Sequence, residues 1–480
     1  MKKTEKIKIP FFFHIFTMFF LLGSTTVVLA DSDVEEFKNL NIPLFIVETE
    51  GGVKPKCSFL YPPEGCIGKT ITNNEYVRGR LVVIMENDTM YDSGDYIEDE
   101  SGMRIRIRGN TSADYRCPPY KMKLEKKFNL FFYQDRSKTK EYNFLRTTSA
   151  RFLNPFLGNR LGELLGLDWQ PGNQYVNIFL NGKYQGLYLM TDVVKKGKNH
   201  CDVSSEGYLM EHDPYWRAEE GAVLHSNYLA DFMGYTFKYP ETMDSASLDY
   251  IRDYIHSFER DLYAGKSVEK WIDYESFAAW VLGHDILGSH DAAGSNIYIT
   301  KYDSTEASKL KMGPLWDFDA ILQEEEHSAI HYNGKCFYYP QLFKLEEFCE
   351  AYEQKWNEVK GVLYDEIMNM VDSLVVNYGS SIDFSIEASE RLYGLEYPSM
   401  AENRAMISEW MLNRLEMYET STDEVFSMMH EEYDVKIFDM YGRLINISST
   451  LQNDCLTKGV YVKCYYKNGV MVWAKRCVVK

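Results

Sequence analysis

From Met103 to Arg108 the chain alternates apolar and basic residues without a break, and such a period of two predicts a strand with one face in a core and an arginine row on the other. A Gly109-Asn110 turn leads on to a second alternating run, Tyr120 to Leu124, so two neighbouring strands are expected to line up cationic side chains on one surface, with a solvated face as the plain alternative. Ile42–Val47 and Arg80–Ile84 are short apolar runs bounded by turn residues and read as further strands. Tyr175 to Leu189 reads as a hairpin around Asn181-Gly182, a favoured two-residue turn. The period then changes. Three-to-four spacing predicts helices over 150–166, over Ser247–Leu262, around Phe277–Leu287, over 341–376 and over 401–418. His284 falls on the apolar stripe of the third of these, as a core histidine would. Strands first and helices later make the class α+β. Glu419–Glu424 reads as a polar linker, and strand patterns from Val435 to Trp473 then suggest a small all-β domain of about 55 residues, near the lower limit for folding alone.

The first thirty residues change the picture. Lys2-Lys3, an apolar run from Pro10 to Leu22 and small residues up to Ala30 have the make-up of a secretory signal peptide, with a membrane anchor as the competing reading. Without residues 1–30 the net charge moves from −19 to −22. That acidity argues against nucleic acid or an anionic membrane as the main partner and suits a basic protein substrate or divalent cations. All nine cysteines lie beyond the signal; Cys57 with Cys66 and Cys336 with Cys349 are local pairs suggested by spacing. No Cys-x-x-Cys occurs, so no zinc site is expected.

The candidate chemistry sits between residues 289 and 319. Asp291 and Asn296, in Ser289-His290-Asp291-Ala292-Ala293-Gly294-Ser295-Asn296, have the D-x-x-x-x-N spacing of a kinase catalytic loop. Trp316-Asp317-Phe318-Asp319 follows as a second carboxylate cluster, where kinases carry D-F-G. In phosphoryl transfer one Asp orients the attacking hydroxyl, while an Asn and a later Asp hold the metal that neutralises the phosphates. Asp, Asn and Gly are also ordinary turn formers.

Over roughly residues 41–418 the chain resembles the CotH kinase family of spore-coat proteins. The resemblance rests on Ile42–Thr49, Arg108-Gly109-Asn110-Thr111-Ser112, Phe179–Tyr188, the Asp291–Asn296 loop and Trp316–Asp319, in that order. It implies a divergent protein-kinase-like fold over 31–418, with ATP and Mg²⁺ as cofactors and Ser or Thr of secreted or surface proteins as acceptors. Carried over, Asp291 acts on the substrate hydroxyl, Asn296 and Asp317 hold Mg²⁺ with Asp319 beside them, and Lys123 and Arg108 steady the nucleotide phosphates. The chain departs from the family pattern at Arg116-Cys117-Pro118-Pro119, where lysines are usual, and at Asp192, where Glu is usual; Glu211 is the other candidate carboxylate. Residues 425–480 resemble the C-terminal sorting domain of type IX secretion substrates, through Ile437–Arg443, Leu456–Tyr461 and Cys477–Lys480. That implies export by the secretion machinery to the cell surface or medium, with no membrane span after signal cleavage. Two other readings use the same residues: an inactive kinase-like surface scaffold, and a metal-dependent phosphohydrolase with water as nucleophile.

Overall fold

The computed structural model of the protein describes residues 31–64, 68–146, 152–217, 222–289, 296–318, 321–322, 336–394, 396–429, 434–439, 444–448, 459–467 and 470–479. Residues 1–30 lie outside them, and among the described residues no helix is long and apolar enough to cross a membrane.

After a short helix, α1 (Asp31–Lys38), the first half of the chain is mostly strand: β1 (Leu44–Thr49), an outlying ribbon of β2 (Ser58–Leu60) and β3 (Thr70–Thr72), then β4 (Val77–Met85), β5 (Asp88–Asp92), β6 (Met103–Ile107), β7 (Tyr120–Phe128) and β8 (Thr139–Arg146). Helix α2 (Asn154–Leu164) intervenes before the hairpin β9 (Asn173–Leu180) and β10 (Lys183–Asp192). The neighbour order β1-β9-β10-β8-β7-β6-β4 returns on itself, because β1 pairs parallel with β9 on one edge and antiparallel with β4 on the other. The sheet therefore closes into a barrel-like ring, with β5 appended to β4. Alternate residues point inward and pack together: Phe45, Val83, Met103, Ile105, Met122 and Phe144 share one core. The intervening residues of β6 and β7, the basic ones, are thereby turned onto the outer wall, as the alternation requires.

The second half stacks a five-stranded sheet against helices. The strands β11 (Tyr208–Pro214), β12 (Val223–Leu224), β13 (Met233–Tyr239), β14 (Ile297–Lys301) and β15 (Leu310–Met312) run in the order β12-β13-β11-β14-β15. The helices are α3 (Ser245–Tyr263), α4 (Tyr274–Leu287), α5 (Tyr339–Leu342), α6 (Glu346–Val359), α7 (Leu363–Tyr393) and α8 (Met400–Met429). Asp244 and Asp273 start α3 and α4 by accepting from the amides of Ser247 and Ser276, which satisfies donors that a helix start leaves open. One large core centred on α4, with Trp280 fully buried, joins these elements to α2 and to the outer faces of β9 and β10.

Helix α7 ties the two halves. Its apolar residues Ile367, Val371, Ile382 and Ile386 enter the large core, while Ser385 and Ser389, one turn apart, face the hairpin. Asn177 donates to Ser385 Oγ at 2.9 Å and the Leu187 amide to Ser389 Oγ at 3.1 Å, so the buried hydroxyls are satisfied across the junction.

Three expectations change. The single helical region over 341–376 is three helices, broken at Phe343–Leu345 and at Lys360–Val362, and α7 continues to Tyr393. Glu419–Glu424 continues α8 as helix; the run is polar but carries no Gly or Pro to end it. Cys336 and Cys349 are thiols and not a disulfide, with the Cys349 thiol donating to the Phe343 carbonyl at 3.3 Å. Near the C-terminus, β16 (Asp434–Asp439), β17 (Leu444–Ser448), β18 (Gly459–Lys467) and β19 (Val470–Val479) form one antiparallel sheet, ordered β17-β16-β18-β19. Among the described residues there is no second layer to make it a sandwich.

Candidate functional site

Asn296 and Asp317 are 21 residues apart, and the β14–β15 hairpin brings them together. Asn296 immediately precedes β14 and Asp317 follows β15; antiparallel pairing, with Ile299 opposite Met312, puts the start of one strand beside the end of the other. The Asn296 Nδ2 donates to Asp317 Oδ2 at 2.8 Å. Both residues are left-handed, at φ 60° and φ 65°, a conformation that short polar side chains tolerate and most residues pay for. Beside them the rings of Tyr298 and Trp316 meet edge to face, 6.1 Å apart. Asp291 and Asp319 lie outside the described residues.

The helix that leads to Asp291 is held at its end. Helix α4 stops at Gly288 (φ 58°), where the Trp410 ring stands 2.7 Å from the place a Cβ would take. The carbonyls that α4 leaves open are met from α8: Trp410 Nε1 donates to Ile286 O at 3.1 Å and Arg414 Nε to Asp285 O at 3.1 Å. The pattern of α8 places Trp410 in an apolar stripe; its role as a cap depends on contact with α4 and is not visible in the sequence.

The outer wall of the barrel supplies the positive charge. Arg104 stands opposite Lys123, and Arg106 opposite Lys121, along β6 and β7. Glu141, opposite Lys123 on β8, lies between three ammonium groups: Lys123 at 3.8 Å, Lys121 at 3.8 Å and Lys195 at 3.9 Å. Glu141 thus stands among three cations on the outer wall of the barrel. Burial lowers the Lys195 pKa, against the pull of Glu141 and Asp192. Glu141 is the carboxylate beside Lys123, and it is neither Asp192 nor Glu211, the two carboxylates singled out in the sequence. Asp192 is engaged elsewhere, accepting from the Gly172 amide at 2.8 Å with Arg136 at 3.8 Å, and burial raises its pKa against those two groups.

Arg108, next on the same face as Arg104 and Arg106, links the barrel to the second sheet. Its charge acts on Glu211 and on Tyr298, and Tyr298 lies two residues from Asn296. Burial works to raise the Glu211 pKa, but Lys238 at 2.6 Å, the Tyr298 hydroxyl and Arg108 outweigh it and hold the carboxyl below its usual range. The basic wall and the Asn296–Asp317 pair thus meet at a junction occupied by Arg108, Glu211 and Tyr298. Among the described residues no three His, Cys, Asp or Glu side chains converge as a metal cage. The amide oxygen of Asn296 and the carboxylate of Asp317 are hard oxygen donors, which fit Mg²⁺, an ion that takes much of its shell from phosphate and water.

His284 supports this site from below. It is fully buried, with its ring 4.2 Å from Trp280 and 5.4 Å from Phe318, the latter nearly parallel at 21°. Among the described residues neither ring nitrogen has a hydrogen-bond partner, and burial lowers its pKa to about 3. The folded value lies below the ordinary 6.5, so the unfolded chain binds the proton first and stability falls as pH drops from 6.5 towards 3. At pH 5 the expected loss from this one group is about 2 kcal/mol. Urea titrations at pH 7 and pH 5 check it: His284→Leu should narrow the difference between the two pH values by about that amount.

Comparison with known proteins adds a family. The family model described as CotH kinase protein matches residues 105–418. No curated protein matches the chain. Among solved structures, the Helicobacter pylori proinflammatory kinase CtkA aligns over 77% of this chain and 97% of its own, at 9% identity and a TM-score of 0.27. At that TM-score the overlap carries no argument about this chain.

Proposed function

The chain belongs to the CotH kinase protein family, and from that premise we propose that it is an exported atypical protein kinase, which transfers the γ-phosphate of ATP to Ser or Thr of secreted or surface proteins. The observation that carries this reading is the 2.8 Å contact between Asn296 and Asp317, two residues of separate motifs, at the junction with a basic wall. A scaffold has no physical need to hold an Asn and an Asp left-handed and side by side. Asp291 acts on the acceptor hydroxyl, Asn296, Asp317 and Asp319 hold Mg²⁺, and Lys123 and Arg108 take the phosphates. Bound Mg²⁺ would neutralise charge on the β- and γ-phosphates. Glu141 spaces the lysines by attracting all three, so that Lys123 is presented to an anion without collapsing onto one partner.

The route of export belongs to the proposal as well. The composition of residues 1–30 supports a cleaved signal, and the strand motifs near the C-terminus support type IX sorting of residues 425–480.

Nucleotide binding tests the site without requiring an acceptor. ATP with Mg²⁺ should raise the thermal midpoint of the mature chain by several degrees, as ligand that binds only the folded state does. Lys123→Ala should remove most of that shift while leaving the midpoint of the free protein nearly unchanged, because Lys123 is one of three cations on Glu141. A shift that Lys123→Ala leaves intact contradicts its assignment.

A further inference from the structure

Near Asn296 the protein exposes an aromatic face that phosphate chemistry does not use. Strand β11 runs into the single turn Tyr215–Arg217, and the chain then passes through β12 at Val223–Leu224 before it enters β13 at Met233. Over this crossover Tyr215 is 37% exposed, Tyr228 44% and Phe232 46%. Three of the rings, Tyr215, Trp216 and Phe232, form one cluster. Trp216 lies 5.4 Å from Tyr215 and 6.1 Å from Phe232, and Tyr228 stacks flat on Tyr263 at 4.1 Å and 16°. The Tyr215 amide donates to the Phe232 carbonyl at 3.0 Å, which holds the two ends of the crossover together.

Strand register places this face. His212 stands opposite Ile297, so Asp213 falls opposite Asn296, and Tyr215, two residues on and just past the end of β11, lies at the same end of the sheet. At about 3.3 Å per residue and 4.8 Å between strands, the backbones of Tyr215 and Asn296 lie roughly 8–10 Å apart. An acceptor segment whose hydroxyl lies at Asn296 has these rings within about three to five extended residues.

Charge selects the occupant. The faces of aromatic rings carry negative potential, Asp231 is exposed beside Phe232, and the chain as a whole is at −19. A flat guanidinium satisfies both features, stacking on the ring while supplying the opposite charge; the compact, strongly hydrated ammonium of lysine does so less well. A neutral glycan would stack on the same rings but gains nothing from the acidity. We propose that Tyr215, Trp216 and Phe232 form the docking platform for the acceptor protein and recognise an arginine about three to five residues from the phosphorylated Ser or Thr. The proposal rests on the kinase reading for the identity of that acceptor.

Binding separates the two ideas. A fluorescein-labelled peptide with one Ser and two Arg, and its Arg→Glu counterpart, are titrated by anisotropy into the mature chain without ATP. The Arg peptide should bind and the Glu peptide should not. Phe232→Ala and Tyr215→Ala should each weaken binding about tenfold with an unchanged thermal midpoint, and Asp317→Asn should bind as the wild type does. Three results overturn the platform: no binding of the Arg peptide, equal binding by Phe232→Ala and wild type, or displacement of the peptide by a neutral β-glucan oligosaccharide. Normal discrimination without any phosphate transfer would leave the platform standing and remove the kinase reading alone.

Discussion

Asp317→Asn should lower phosphate transfer by about 10³-fold while leaving the protein folded. Asn is the replacement that isolates the charge. It keeps the size of the side chain, keeps an oxygen to accept from Asn296 Nδ2, and tolerates the φ of 65° at this position. Ala would add a left-handed penalty of about 1–2 kcal/mol and confuse loss of the carboxylate with strain. What Asn removes is the one negative charge at the described contact, and with it the stronger of the two oxygen donors for a divalent cation. Steady-state kinetics at varied Mg²⁺ check the assignment: a much higher Mg²⁺ requirement is expected, with a thermal midpoint within about 2 °C of wild type. Activity and Mg²⁺ dependence both unchanged would remove Asp317 from the site.

The second large effect is expected in a residue that touches no phosphate. Gly158 lies inside α2, where Ala would ordinarily gain about 1 kcal/mol of helix propensity. Here an added Cβ would lie 2.0 Å from Phe318 Cε2 and 2.2 Å from Cδ2. The ring has little room to retreat, since it is buried and stacked on His284. Overpacking of this kind costs about 1–3 kcal/mol, so the clash outweighs the propensity and Gly158→Ala should be destabilising overall. Because Phe318 directly follows Asp317, the displacement passes to the site, where a shift of about 1 Å can cost on the order of 10² in rate. Adding Phe318→Leu should return part of the lost stability by removing the atoms that clash, and a double-mutant cycle on thermal midpoints and rates reads that coupling. A Gly158→Ala protein more stable than wild type and fully active would contradict the packing.

The local elements were legible because their periods differ sharply. Met103–Arg108 and Tyr120–Leu124 alternate and are the adjacent strands β6 and β7, and Asn181-Gly182 is the left-handed hairpin turn between β9 and β10, at φ 50° and φ 70°. Helix α3 follows its apolar spacing, whereas α4 is buried on every face from Phe277 to Leu287, more than its three-to-four spacing implies. Closure of the barrel was not legible, since β1 pairs with β9 across more than a hundred residues and nothing local records a long-range parallel pairing. Asn296 and Asp317 were found as motifs, and their contact needed only the hairpin between them. Glu141 was missed for the opposite reason. It lies in Thr139–Arg146, a run of mixed polarity with no motif, and becomes the partner of Lys123 only through the register of β7 with β8. Arg414 and Trp410 were hidden in the same way, because capping of one helix by another is a tertiary fact.

The most direct test of the central claim is transfer of label from [γ-³²P]ATP by the purified mature chain with Mg²⁺, in the presence of a mixture of secreted proteins, followed by phosphoamino-acid analysis. Wild-type protein should place label on serine or threonine, and Asp291→Ala and Asp317→Asn should each abolish it. Label that persists in both variants, or ATP consumed to ADP and free phosphate with no labelled protein, would contradict a protein kinase whose site lies where Asn296 meets Asp317.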